Sequence, residues 1–349
     1  MHAISRRHFL KSSLPVAASL AVSVAPAWLH SVAEPGTSAT SQRIEEGWEY
    51  LQGSLDQPWQ VWQSAELATW SAVTLPHCFN HADACDPDTP AYRGPGWYRT
   101  HLAVANPYPG GRTLLHFSGA GQTTDIYVGE TRIAQHVGGY DQFAVDITQA
   151  AAALISGPLP LAIRCDNGRD LDRMPSDVSD FTLYGGLYRH VDLVYLPLVS
   201  IEAIHVRVQL SGQRDSASLT ITGRLYTQQD PPPGTTFTVE IVSPDGTSIA
   251  QASIPWSETD PADTGFSGEH RLAAFTLSHP LLWSPSTPHL YRCHVSLSSN
   301  DTHHVVTERF GIRSINFQEN GPFFANGERL VLRGTHRHED HAGYAAAMP

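Results

Sequence analysis

The residues with the most chemistry in this 349-residue chain stand together: His336, Arg337, His338, Glu339, Asp340 and His341. Imidazoles and carboxylates at this density can hold one or two zinc ions and through them activate a water. The run from Thr335 to His341 spells THxHxDH, which suits that use. The same side chains can instead hydrogen-bond a polar substrate and stabilise charge as a bond breaks. Either use needs a rigid element just upstream. Leu330, Val331 and Leu332 read as a short buried strand that delivers the cluster to a loop. Asn326-Gly327 reads as a tight turn, which lets that strand pair with Phe323 and Phe324.

Almost everything before this stretch reads as short strands between turn residues. Aromatic anchors stand at Trp48, Tyr50, Trp59 and Trp62. Apolar runs at 114–117, 125–128, 143–147, 159–163 and 187–194 are bounded by Gly, Pro, Asp or Asn. One short alanine-rich helix is expected at 150–154. This spacing predicts an all-β jelly roll over 43–197. Leu196-Pro197 closes it. A second strand series follows at 201–210, 217–226, 236–242, 271–277, 291–297 and 305–312. Pro231-Pro232-Pro233 and Pro244-Asp245-Gly246 form loops between them, because proline cannot donate to a central ladder. The series predicts an immunoglobulin-like sandwich over 198–313. The stretch 260–268 reads as a loop. A third unit opens at 314 and runs to Pro349.

The composition limits the partners. The net charge is −12. Residues 1–33 read as an export leader: Ser5-Arg6-Arg7-His8-Phe9-Leu10-Lys11, an apolar run over 14–24, then cleavage points after Ala27 or Ala33. Removing Arg6, Arg7 and Lys11 leaves the rest more acidic still. Nucleic acid and anionic membrane are therefore not expected partners, and a neutral substrate suits the charge better than an acidic one. The twin-arginine pattern predicts a periplasmic or secreted protein, in which disulfides are permitted. The cysteines are Cys78, Cys85, Cys165 and Cys293. Cys78 with Cys85 could staple a loop, or all could be buried thiols.

Several motifs, in order and in register from about residue 43 to the end, resemble glycoside hydrolase family 2, the β-galactosidase and β-glucuronidase group. They are Gly96-Trp97-Tyr98-Arg99, the GGYDQF run 138–143 followed by Asp146-Ile147-Thr148, and Asp180 with the YGGLYR run 184–189. Trp283-Ser284-Pro285 with Leu290-Tyr291, the RFGIR run 309–313 and the LRGTHRHEDH run 332–341 complete the set.

The resemblance implies a sugar-binding jelly roll, an immunoglobulin-like sandwich and then a TIM barrel, of which residues 314–349 would hold the first strand. It implies a retaining exo-glycosidase acting on β-galactosides, without a cofactor. Such enzymes set two carboxylates about 5 Å apart across the scissile bond. The family's two catalytic glutamates would lie beyond Pro349. Neither Glu328 nor Glu339 matches them, so this chain alone is expected to be inactive. His338 is the residue that would face the sugar, and Asp180 would reach sugar hydroxyls. Asp340 and His341 are expected to satisfy loop backbone groups. Trp97 and Trp283 are expected to be core aromatics. His336 stands where the family has Asn. An unpaired strand at residues 330–332 would expose its apolar side chains. A non-catalytic carbohydrate-binding protein is the second reading. The zinc reading resembles the metallo-β-lactamase motif, but that fold needs further ligands downstream and nothing upstream resembles it.

Overall fold

The computed structural model describes residues 40–347 apart from 64–68, 84–85, 87, 89, 155, 174–180, 228–230, 262–268, 300–301 and 337–339. Its architecture is all-β, as the strand spacing implies. The first body is a sandwich of two antiparallel sheets. One is six-stranded, in the order Ser71–Val73, Trp48–Gln52, Pro95–Leu102, Leu159–Asp166, Thr123–Val128, Thr131–Val137. The other is four-stranded: Thr40–Arg43, Val191–Leu196, Arg112–Phe117, Phe143–Asp146. Side chains alternate faces along a strand. Leu159, Leu161, Ile163 and Cys165 therefore meet Leu115, Phe117, Val145 and Leu193 from the opposite sheet in one core. The outward Leu114, Val194 and Leu196 form a smaller cluster of their own.

The second body repeats the plan. Ser200–Leu210, Ser216–Tyr226, Glu269–Ser278 and Asp260–Pro261 make one sheet. Ser248–Pro255, Thr236–Val242, Tyr291–Ser299 and Thr302–Phe310 make the other. Phe237, Val239 and Ile241 interleave in register with Cys293, Val295 and Leu297 in its core.

Three local expectations are corrected. The run 187–194 is not one strand. Gly186–Leu187 pairs with His77–Cys78, and Val191–Leu196 joins the four-stranded sheet. Gly186 sits at φ +116, and a Cβ there would lie 2.5 Å from the Tyr98 hydroxyl, so only glycine fits that corner. The helix runs Thr148–Ala152, two residues early. Asn326-Gly327 does make a turn, with both φ positive at 50° and 75°, the primed geometry that matches strand twist. But it joins Phe323–Ala325 to Glu328–Arg329, and pairing stops after the Leu330 N–H donates to the Phe323 carbonyl. Residues 331 and 332 are not in a strand. Val331 is 61% and Leu332 71% exposed. A barrel strand is held by neighbours on both sides, and no described residue pairs with these two, so the apolar run stays outside.

Cys78, Cys165 and Cys293 are free and buried, and Cys85 lies outside the described residues. Burial pushes the thiols up, to about 11 at Cys78 and about 12 at Cys165 and Cys293, which leaves them protonated and inert.

Candidate functional site

Asp180 and His338 both lie outside the described residues, as do Arg337 and Glu339. What is described is the chain on either side of them, and the fold brings those flanks together. The Tyr184 hydroxyl donates to Asp340 Oδ2 at 2.6 Å across 156 residues of sequence. Asp340 thus accepts from a side chain of the first sandwich. Beside it, Ala345 and Ala347 pack against Cys78 and Tyr188, with Tyr184 and Ala346 at the edge. Tyr188 donates from its hydroxyl to the Gly139 carbonyl. So the YGGLYR run, the GGYDQF run and the tail of the HEDH stretch converge on one surface.

Each arm is held locally. His341 closes a turn on itself: the Tyr344 and Ala345 N–H groups donate to its carbonyl at 2.9 and 2.7 Å. Its Nδ1 lies 2.9 Å from the Ala342 carbonyl. On the other arm, Cys78 faces Ala345 and Ala347 while the next residue back, His77, turns the opposite way, as neighbours on a strand must. His77 Nδ1 lies 2.9 Å from the Tyr98 hydroxyl and its ring stands over Tyr50 with centroids 5.0 Å apart. Burial, reinforced by the nearby His81, lowers His77 to about 4, so it is neutral at physiological pH and can accept from Tyr98. The Tyr50 hydroxyl in the same layer is buried without a hydrogen-bond partner. Its pKa is driven up, first by burial and then by Tyr92, so it stays a neutral hydroxyl.

The hairpin that precedes the site in sequence is anchored to the second sandwich. Asn326 Oδ1 accepts from the Ser314 N–H at 2.9 Å, and Asn326 Nδ2 donates to the Trp283 carbonyl at 3.0 Å. The Arg313 guanidinium lies 4.6 Å from the Trp283 ring, and Gly311 packs on the same side chain. Trp283 is therefore a hub that locks the hairpin to its exit strand. Trp97, 3% exposed and tilted on Tyr127 at 5.4 Å, is part of a small satellite core. Trp97 therefore offers no face for a sugar to stack on, while Trp283 is half-buried with Arg313 over its ring.

Sequence reasoning missed two side chains in this region. Asn80 and Asn167 are fully buried and bond the backbone around Tyr184. A lone asparagine between turn residues carries no signal in sequence. Among the described residues, no group of three or more His, Cys, Asp or Glu is placed to hold a metal. What the described surface offers is hydroxyls, amides, a carboxylate and aromatic edges, the groups that recognise a polyol.

Comparison with known proteins follows the same line. Residues 199–313 match the profile of glycosyl hydrolases family 2. The crystal structure of Parabacteroides merdae β-glucuronidase superposes with a TM-score of 0.81 at 44% identity, over 89% of this chain and 40% of that one. Bacteroides uniformis β-glucuronidase 3 gives 0.78 at 42% identity, over 90% and 40%. A β-galactosidase from Thermoanaerobacter pseudethanolicus is 28% identical over 310 residues, 86% of this chain and 39% of that protein. The chain thus spans about 40% of the length of these relatives. With a sandwich pair of this topology and these motifs in register, the chain belongs to glycoside hydrolase family 2.

Proposed function

We propose that this chain is the sugar-recognising part of a retaining exo-β-glycosidase, with His338 and Asp180 as the residues that touch the sugar. The observation that carries the reading is the Tyr184–Asp340 hydrogen bond. It ties the segment that follows Asp180 to the segment that contains His338, so two loops remote in sequence form one rim. Sugar hydroxyls need several such groups fixed at once, since each bond is modest and its cost in ordering is met only when the site is preformed. The acid/base and nucleophile carboxylates are proposed to come from barrel segments outside residues 1–349, which leaves this polypeptide by itself inactive.

The substrate class is proposed to be β-glucuronides rather than the β-galactosides expected from sequence. The matches above 40% identity are to proteins named β-glucuronidases, and the β-galactosidase match is more remote. The acidic net charge does not oppose this. Charges in solvent are screened beyond about 10 Å at 0.1 M salt, so an anionic sugar responds to its immediate neighbours rather than to the whole chain. The twin-arginine pattern supports an exported protein.

The test is hydrolysis by the native protein isolated from its source. Aryl β-D-glucuronide should turn over faster than aryl β-D-galactoside. The reverse order would restore the galactoside reading, and binding of sugar without turnover of either would favour a carbohydrate-binding protein.

A further inference from the structure

The buried pair Asn80 and Asn167 does more than fill a gap. Both are 0% exposed, and a buried amide persists only where its donors and acceptors are matched. Their Nδ2 atoms donate to the same carbonyl, that of Leu183, at 3.0 and 2.9 Å. Both also approach the Tyr92 carbonyl, at 3.5 and 3.1 Å. Asn80 Oδ1 accepts from the Gly185 N–H at 3.0 Å and from the Cys78 thiol at 3.2 Å. Asn167 Oδ1 accepts from the Gly94 N–H at 2.8 Å, and Arg93 Nε donates to the Asn167 carbonyl at 2.8 Å. The backbone at 183 and 185 is thereby stitched to the 92–94 loop. Tyr184 is the residue caught between the stitched positions. A Cβ at Gly185 would lie 2.1 Å from the Phe79 ring, so the segment is also pressed flat against the core.

We propose that Asn80 and Asn167 are positioning residues: their paired amides set the backbone of Tyr184 so that its hydroxyl meets Asp340, and so hold the sugar-binding rim closed. The proposal rests on the function proposed above for its biological meaning, but its mechanical content stands apart from it. A merely structural role would satisfy the buried carbonyls of Leu183 and Tyr92 and reach no further. A positioning role is felt at Asp340–Ala347, which neither asparagine touches through a hydrogen bond to its side chain.

Amide hydrogen exchange on the folded chain separates these. Asn167→Asp keeps the shape but turns a donor into an acceptor that faces two carbonyl oxygens. Exchange should quicken about ten-fold both at Gly185 and across 340–347, while 236–242 in the second sandwich keeps its protection. Loss of protection at Gly185 with 340–347 unchanged would overturn the proposal. Should that variant fail to fold, Tyr184→Phe carries the test. It removes one exposed hydroxyl and should loosen 340–347 while Gly185 stays protected. An unchanged 340–347 in that variant would equally overturn the proposal. Titration with D-glucuronate adds the functional arm. An affinity about ten-fold weaker in Asn167→Asp supports the positioning role, and equal affinities contradict it. A wild-type chain with no affinity for D-glucuronate would count against the function proposed above and leave the exchange result to judge the asparagine pair.

Discussion

Arg112, from the first sandwich, donates to Glu202 Oε1 of the second at 2.8 Å. The same guanidinium bonds Asp146 at 3.1 Å and lies 3.4 Å from the centroid of the Tyr226 ring. It is 5% exposed. One planar cation thus uses its edge on two carboxylates and its face on an aromatic ring, which only arginine can do. A buried cation between two carboxylates that still reach solvent, Asp146 at 35% and Glu202 at 21% exposure, ties the first sandwich to the second.

Removing that cation takes a charged hydrogen-bond partner from both acids, which solvent only partly replaces. Arg112→Met should cost about 2 kcal/mol, the range for hydrogen bonds to charged groups. Arg112→Lys should lose a good part of this too, because an ammonium cannot fork or stack. Chemical denaturation midpoints of the three proteins check the order wild type, Lys, Met. Equal midpoints would show that the junction contributes nothing.

Acid should weaken the second sandwich through His304. It is 1% exposed and its Nδ1 accepts from the Ile201 N–H at 3.1 Å, which fixes the neutral form. Burial, with His303 adding to it, lowers His304 to about 4 from an ordinary value of 6.5. The unfolded chain therefore binds the extra proton first. Stability is intact above about pH 6.5, falls as the pH drops toward 4, and stops falling below that. The slope is about 1.4 kcal/mol per pH unit. His77, shifted the same way, gives the first sandwich a similar dependence. His304→Gln should start less stable at pH 8 but lose less on going to pH 5. Parallel pH profiles for the two proteins would contradict this.

The hairpin before the site depends on Asn326. Its backbone is at φ 50°, and its side chain bridges the Ser314 N–H and the Trp283 carbonyl. Asn326→Ala should lose both bonds and meet backbone strain, about 2 kcal/mol in all. Asn326→Gly should lose only the bonds and so cost less. Thermal midpoints that put glycine below alanine would remove the strain argument.

Much of the fold could be read from period-two alternation. Phe237, Val239 and Ile241 announce a strand because large apolar residues skip every other place. The strand Ser248–Pro255 escaped notice because its residues are small, Ser, Ala and Gln between two isoleucines, and it lies at a sheet edge where burial demands little. The run 330–332 misled for the opposite reason. Its composition suits a buried strand, but a strand is made by its neighbours, and composition cannot supply them. At the site, motif order pointed to the regions of Asp180 and His338. It could not show that Tyr184 and Asp340 meet, because a contact across 156 residues is a property of the fold. Nor could it show Asn80 and Asn167, whose role lies wholly in which carbonyls they face.

The central claim is that this chain recognises a sugar while the carboxylates that cleave the bond come from elsewhere. The most direct measurement is release of aryl alcohol from an aryl β-D-glucuronide by the purified chain of residues 34–349. The account predicts a rate no higher than buffer alone. Turnover that survives repurification would contradict it and place the catalytic groups within this sequence.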